Sequence, residues 1–164
     1  MNKYKLNIIN THNFEVSIND NVLGQLDIEN NNNARIKVLD NIYTITKIKG
    51  SILLGIKFQI VSNKVNKRYN FSTRWFGLGG HLLYEGEIYK FYAGGGGVQT
   101  WHEWKWNKNN KLKNSILISA RAEERNSSFN GEDKILVKGD VSQELCVLLI
   151  LLTRFFYFSY IGGK

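Results

Sequence analysis

The feature that most constrains the fold is the run Val141 to Tyr160, VSQELCVLLILLTRFFYFSY. Leu145, Val147, Leu148, Leu149, Ile150, Leu151, Leu152, Phe155, Phe156 and Phe158 point in every direction around a helix. A helix apolar all round must be surrounded, by protein or by lipid. Asp140 and Gln143, three residues apart, resemble a capping box in which the aspartate oxygen serves a free amide at the helix start. A bilayer span needs about 20 apolar residues. Leu145 to Gly163 approaches that length, broken near its centre by Arg154, whose translocon cost of about 2.5–3.5 kcal/mol several leucines and phenylalanines can offset. The other setting is the interior of the chain's own domain, and the upstream sequence favours it.

Before residue 140 the pattern has period two, as in strands with one buried face. Phe14, Val16 and Ile18 alternate with polar residues, a turn follows at Asn19-Asp20-Asn21, and Val22, Gly24, Leu26 and Ile28 alternate on the return. Ala34, Ile36 and Val38 lead through Asp40-Asn41 to Tyr43 and Ile45, with Ile42 and Ile48 on the other face and Lys49-Gly50 closing the pair. Ile52, Leu54, Ile56, Phe58 and Ile60 form the longest alternation, resumed by Tyr69 and Phe71 after the polar loop SNKVNK. Leu82 and Tyr84, then Ile88, Lys90 and Tyr92, read as a hairpin around Glu85-Gly86-Glu87, interrupted by the glycines 94 to 97. VQTWHEWKW, SILISARA and KILVKG supply three more strands between turn-forming segments, and Asn30 to Asn33 reads as a loop. About eleven or twelve short strands at this spacing predict an all-β sandwich or barrel.

About eight strands close a barrel whose interior side chains fill it, so a larger barrel leaves a hole. A helix with its side chains is roughly 10–12 Å across, and about 20 residues rise about 30 Å, which suits the C-terminal run to that hole. The expectation is therefore one domain over residues 1–164. It is an antiparallel barrel of about 12 strands spanning roughly residues 3–139, closed around a buried hydrophobic helix at roughly 141–160. On such a plug Arg154 needs a carboxylate or carbonyl partner, for which Glu85, Glu87 and Glu103 are conceivable, or must reach the rim along its aliphatic stem.

This order, strands first and a hydrophobic helix last, with NFEVSINDNVLGQLDI near one end and KILVKGDVSQELCVLLILL near the other, resembles the tubby C-terminal-like fold. That fold is shared by tubby proteins, LURP-one-related proteins and phospholipid scramblases. The resemblance implies a non-enzymatic module for anionic phospholipid, since tubby proteins bind phosphoinositide head groups. It also leaves open a scramblase-like protein anchored by its C-terminal segment.

At 164 residues, with 43% hydrophobic and 13% aromatic side chains, the chain has the material for one core and is no disordered tail. Its 22 lysines and arginines against 14 acids leave a net charge of +8, which favours anionic partners. Cys146 is the only cysteine, and the start MNKYKLNIINTHNF lacks the apolar core of a signal peptide. A cytoplasmic protein, peripheral at the membrane if it binds lipid, is the expectation. There is no G-x-S-x-G elbow or P-loop, and Gly77, Gly79 and Gly80 do not complete G-x-G-x-x-G. His102-Glu103 lacks the second histidine of a zinc helix, so neither catalysis, a cofactor nor a metal is expected.

Two basic groups stand out, Lys64, Lys67 and Arg68 in one, and Lys105, Lys108, Lys111 and Lys113 around NKNNK in the other. Sharing a barrel end, they would attract an anionic leaflet at about 1 kcal/mol per basic residue. In TRWFGLGGH, Arg74 beside Trp75, Phe76 and Leu78 suits a membrane interface; the alternative is that these rings close one barrel end. Trp101, Trp104 and Trp106 among lysines suggest base stacking. Alternation, however, sets Trp104 and Trp106 on the face of His102 with Trp101 opposite, so nucleic acid is not the expected partner. Anionic phospholipid is, with an acidic protein as the alternative.

Overall fold

A computed structural model describes residues 3–51, 53–74, 79–94, 103–109, 114–121, 134–138 and 141–161. The strands are β1 (Lys3–Ile8), β2 (Asn13–Ile18), β3 (Asn21–Asn30), β4 (Asn33–Val38), β5 (Asn41–Ser51) and β6 (Gly55–Ser62). They continue with β7 (Arg68–Thr73), β8 (Gly79–Tyr84), β9 (Glu87–Gly94), β10 (Glu103–Asn109), β11 (Asn114–Arg121) and β12 (Lys134–Val137), and α1 (Gln143–Ile161) follows. The chain is thus an antiparallel sheet with one C-terminal helix among the described residues. Each strand pairs with the next, and β1 also pairs with β12, Lys3 opposite Leu136 and Tyr4 opposite Ile135. The hydrogen-bonded order so returns to its start as a closed barrel.

Alternation along each strand sorts the side chains. In β4, Ala34, Ile36 and Val38 are buried while Arg35 and Lys37 are exposed; in β6, Ile56, Phe58 and Ile60 face in while Lys57 faces out. Because neighbouring strands run in opposite directions, their connections fall alternately at two rims. The turns 19–20, 39–40, 63–67 and 85–86 lie at one, called the lower rim here, and 9–12, 31–32 and 53–54 at the upper rim. Helix α1 starts at the lower rim, where Glu144 meets Asn41 and Tyr43. It ends at the upper rim, where Phe158 lies against His12 and Ser159 Oγ donates to the Asn31 carbonyl at 3.1 Å.

The helix is enclosed by the sheet. Its apolar residues from Leu145 to Phe158 are between 0 and 8% exposed, so the helix is surrounded by its own chain rather than by lipid. No helix among the described residues is long and apolar enough to cross a membrane. Phe156 stacks on Phe71 with ring centres 3.8 Å apart, and Phe58, Phe91 and Phe155 complete the cluster. Trp106 Nε1 donates to Thr153 Oγ1 at 2.8 Å, and that hydroxyl donates onward to the Leu149 carbonyl. Gly24 lets β3 approach the helix: a methyl there would overlap Val147 Cγ1 and stand 3.1 Å from Leu151 Cδ1.

Three expectations are corrected in detail. The helix cap is Ser142, whose Oγ accepts the Leu145 amide at 3.2 Å, the geometry of an N-cap serving the third helical amide; Asp140 lies outside the described residues. Strand β5 does not close at Lys49-Gly50 but continues to Ser51 through a bulge at Lys47/Lys49 and a positive φ of 109° at Gly50. The alternation from Ile52 does not open a strand either. Strand β6 begins at Gly55, Leu53 and Leu54 lie in the turn, and Ile52 lies outside the described residues. Arg154 sets its guanidinium carbon 4.5 Å from the Phe14 ring centre and 5.2 Å from that of Tyr157, cation–π geometry that suits a partly buried arginine. Of the acids considered for it, Glu85 and Glu87 pair with Lys67 and Lys108, and the Glu103 side chain is outside the described residues.

Candidate functional site

Strand direction distributes the basic candidates over the two rims. Lys64, Lys67 and Arg68 sit in or beside the β6–β7 turn at the lower rim, and Lys108, near the end of β10, lies towards the same rim. Arg74 follows β7 at the upper rim, its amide bonded to the Gly79 carbonyl at 2.7 Å. Lys105 projects from the outer face of β10 with Nζ 5.4 Å from the Tyr92 ring centre. Lys111, Lys113, Trp75, Phe76 and Leu78 lie outside the described residues.

At the lower rim three lysines face carboxylates. Lys64 Nζ is 2.7 Å from Asp40 and Lys67 Nζ 2.8 Å from Glu85, while Lys108 Nζ is 3.5 Å from Glu87. The Lys64 hydrogen bond holds the Asp40 carboxyl below its usual range, and the hydrogen bonds from Lys67 and then Tyr69 do the same for Glu85. Behind these pairs a polar network anchors the helix start. Tyr43 OH and Asn41 Nδ2 both donate to Glu144 Oε1, at 2.5 and 2.9 Å, and Ser62 Oγ donates to Asn41 Oδ1 at 3.0 Å. An acid in the first turn also complements the helix dipole. Burial, then the bond to Glu144, raises the Tyr43 phenol far above its ordinary value, and burial with Glu85 raises Tyr69. Arg68 borders a shallow outer recess of about 250 Å³ together with Lys67, Tyr69, Asn70, Leu83 and Glu85. Much of the positive charge assembled at this rim is thereby neutralised.

The outer wall is different. Register places Lys49 opposite Lys57, Lys57 opposite Ser72, Ser72 opposite His81 and His81 opposite Lys90, with Lys105 opposite Tyr92 one step nearer the upper rim. None of the ion pairs among the described residues involves these lysines. Like charges directly across a strand pair, such as Lys49 and Lys57, are unfavourable in the isolated fold. Sequence reasoning missed Lys49, Lys57 and Lys90. The signal for the last two was their position between inward residues, Lys57 between Ile56 and Phe58 and Lys90 between Tyr89 and Phe91, but only register aligns them into a band.

Trp104 and Trp106 are buried rather than displayed, Trp106 bonded to Thr153 of α1, and Trp101 and His102 lie outside the described residues. Among the described residues no group of three or more His, Cys, Asp or Glu converges to hold a metal. Comparison with protein-family models, with curated proteins and with solved structures finds no match to this chain.

Proposed function

We propose that the chain is a non-enzymatic binding module, a barrel of the tubby C-terminal-like kind that engages anionic phospholipid or phosphoinositide head groups through its outer surface. The observation that carries this reading is the band of Lys49, Lys57, His81, Lys90 and Lys105 on the outer wall, where the described ion pairs place no carboxylate. The filled interior supports it too, because α1 occupies the space in which a barrel would otherwise hold a ligand. Interaction with a charged leaflet needs a face rather than a pocket, and each cation near it adds about 1 kcal/mol. Work at the membrane periphery follows from this reading.

The test is co-sedimentation of the full chain with vesicles of phosphatidylcholine alone or mixed with phosphatidylserine. The expected result is retention on the mixed vesicles only, weakening as salt shortens the Debye length below about 10 Å. Equal behaviour on both vesicles would overturn the proposal. Retention by an acidic protein column without retention by anionic vesicles would transfer the same charges to a protein partner.

A further inference from the structure

We propose that the β5–β6 hairpin is the part of this molecule that enters the lipid boundary: Leu53 and Leu54 at its tip insert among the acyl chains of an anionic membrane, while Lys49, Lys57 and Arg74 hold head groups around them. The proposal rests on the lipid-binding reading above and gives that reading a place, an orientation and a depth.

The tip is apolar where a turn has no structural need to be. Leu54 is 88% exposed and Leu53 64%, and Ile48, the extra residue of the bulge beneath them, is 55% exposed. Such leucines contribute nothing to the core, which α1 already fills. Large exposed apolar side chains gathered together and rimmed by charge mark a contact surface. The hairpin also reaches further than its neighbour, because the last residue of β5 paired with β4 is Thr46 and the Lys47 amide closes that edge on the Asn32 carbonyl at 2.8 Å, leaving Lys49 to Ser51 paired on the β6 side alone.

The projection is built rather than loose. Gly50 and Gly55 both take positive φ, 109° and 88°, and a methyl at Gly50 would overlap the Gly55 carbonyl oxygen. Ser51 Oγ accepts the Leu54 amide at 3.3 Å, and Thr73 Oγ1 accepts the Ile56 amide at 2.8 Å, fastening the hairpin base to β7 just before Arg74. A tip held in this way loses little conformational freedom when it inserts, as a preorganised surface should.

Charge sets the identity of the occupant. Lys49 and Lys57 face each other beneath the tip, and Arg74 follows the strand to which that base is fastened. An apolar wedge with cations behind it matches an anionic lipid interface, whose acyl boundary accepts the leucines while its head groups accept the lysines. The lower rim offers the reverse, since Lys64, Lys67 and Lys108 already face Asp40, Glu85 and Glu87. The membrane-facing end is therefore the upper rim, opposite the rim where Lys64, Lys67 and Arg68 gather.

The test compares full-length wild type with Leu53→Ser/Leu54→Ser, Lys49→Gln/Lys57→Gln and, as a lower-rim control, Lys64→Gln/Lys67→Gln, on vesicles with and without phosphatidylserine. Thermal unfolding of each variant verifies the fold, which these exposed positions leave intact. The leucine pair is expected to weaken partition at least about tenfold, and the Lys49/Lys57 pair about fivefold per charge. The control is expected to change it by less than about twofold. In a separate readout, Leu54→Cys carries a polarity-sensitive dye, which buried Cys146 does not compete for. Its emission is expected to shift blue on anionic vesicles and to stay unchanged on neutral ones. If wild type ignores anionic vesicles, the lipid reading fails and this inference with it. If wild type binds but the leucine pair binds equally and the dye does not shift, the lipid reading stands and the tip assignment is overturned. A leucine pair that abolishes self-association of the chain without altering vesicle binding would also overturn it, making the tip a contact between copies.

Discussion

Replacing Phe156 by alanine tests directly whether α1 is the core of the fold. The ring is 1% exposed and stacks on Phe71 at 3.8 Å between ring centres, with Phe58 at 5.5 Å, Phe155 at 6.1 Å and Phe91 at 6.4 Å. Truncating a buried phenylalanine costs about 3–5 kcal/mol in lost transfer energy and residual cavity, and the ring contacts place this site in the upper half of that range. A loss of about 4 kcal/mol is a large part of the roughly 5–15 kcal/mol by which domains are stable. With a guanidinium slope of about 4 kcal/mol/M the unfolding midpoint falls by about 1 M, and the melting temperature falls by about 8–16 °C. Far-ultraviolet circular dichroism across a guanidinium titration reads both states. Phe158→Ala is the comparison: that ring is 8% exposed and its described ring contact is with His12 at the upper rim, so its loss should be smaller. A change below about 1 kcal/mol for Phe156→Ala, or equal losses for the two variants, would refute the enclosed-helix account.

Three further outcomes follow from the geometry. Gly24→Val should destabilise by about 1–3 kcal/mol or more through overlap with Val147, and Val147→Ala in the same chain should recover part of that loss in a double-mutant unfolding cycle; simple additivity would contradict the close approach of β3 and α1. Burial raises the Cys146 thiol to about 12, so the folded chain keeps its proton while the unfolded thiol ionises near 8.5. Stability should therefore decline as pH rises from about 8.5 towards 12, and labelling by a thiol reagent at pH 9 should follow global unfolding. Free-thiol labelling rates in the folded chain would contradict this. Asp40 and Glu85 have lowered carboxyl pKa values, so their contribution is present above the ordinary carboxylate range near 4 and is lost as pH falls through the lowered values. Asp40→Asn/Glu85→Gln should flatten the fall in melting temperature below pH 4, and an unchanged acid profile would show that the two ion pairs do not contribute.

Much of the architecture is legible because two periods separate cleanly along the chain. Inward residues such as Ile36, Phe58 and Phe71 stand at alternate positions, and a sheet with one buried face imposes that spacing. The helix lacks a polar face, so it has to be enclosed, and its last place in the chain lets the strands be laid out before it. Partners are harder to read than periods. Arg154 lies over Phe14 and Tyr157, a contact between the first strands and the last helix that no local pattern announces. Likewise, Ser142 and Asp140 are both plausible caps by residue type, and two residues of helix phase separate them.

The apolar turn of the proposed site is hidden by the same alternation that reveals the strands. Ile52, Leu54 and Ile56 continue the period of Phe58 and Ile60 without a break, yet only from Gly55 onward does the strand exist. Periodicity reports spacing and says nothing of which side has a core, so an apolar turn that happens to keep the phase looks like more strand. What locates the end of the strand is backbone conformation, the positive φ at Gly50 and Gly55 that brings Ser51 opposite Gly55. A glycine placed five residues before another across an apolar turn is therefore the signal to weigh against the alternation. Charge is hard to place for a related reason. Lys64 and Lys67 cluster in sequence and are met by Asp40 and Glu85 from other turns, whereas Lys49, Lys57 and Lys90 are scattered in sequence and brought into line by register. Proximity along the chain selects the cations that a turn can neutralise; proximity across strands selects those that an external anion still has reason to meet.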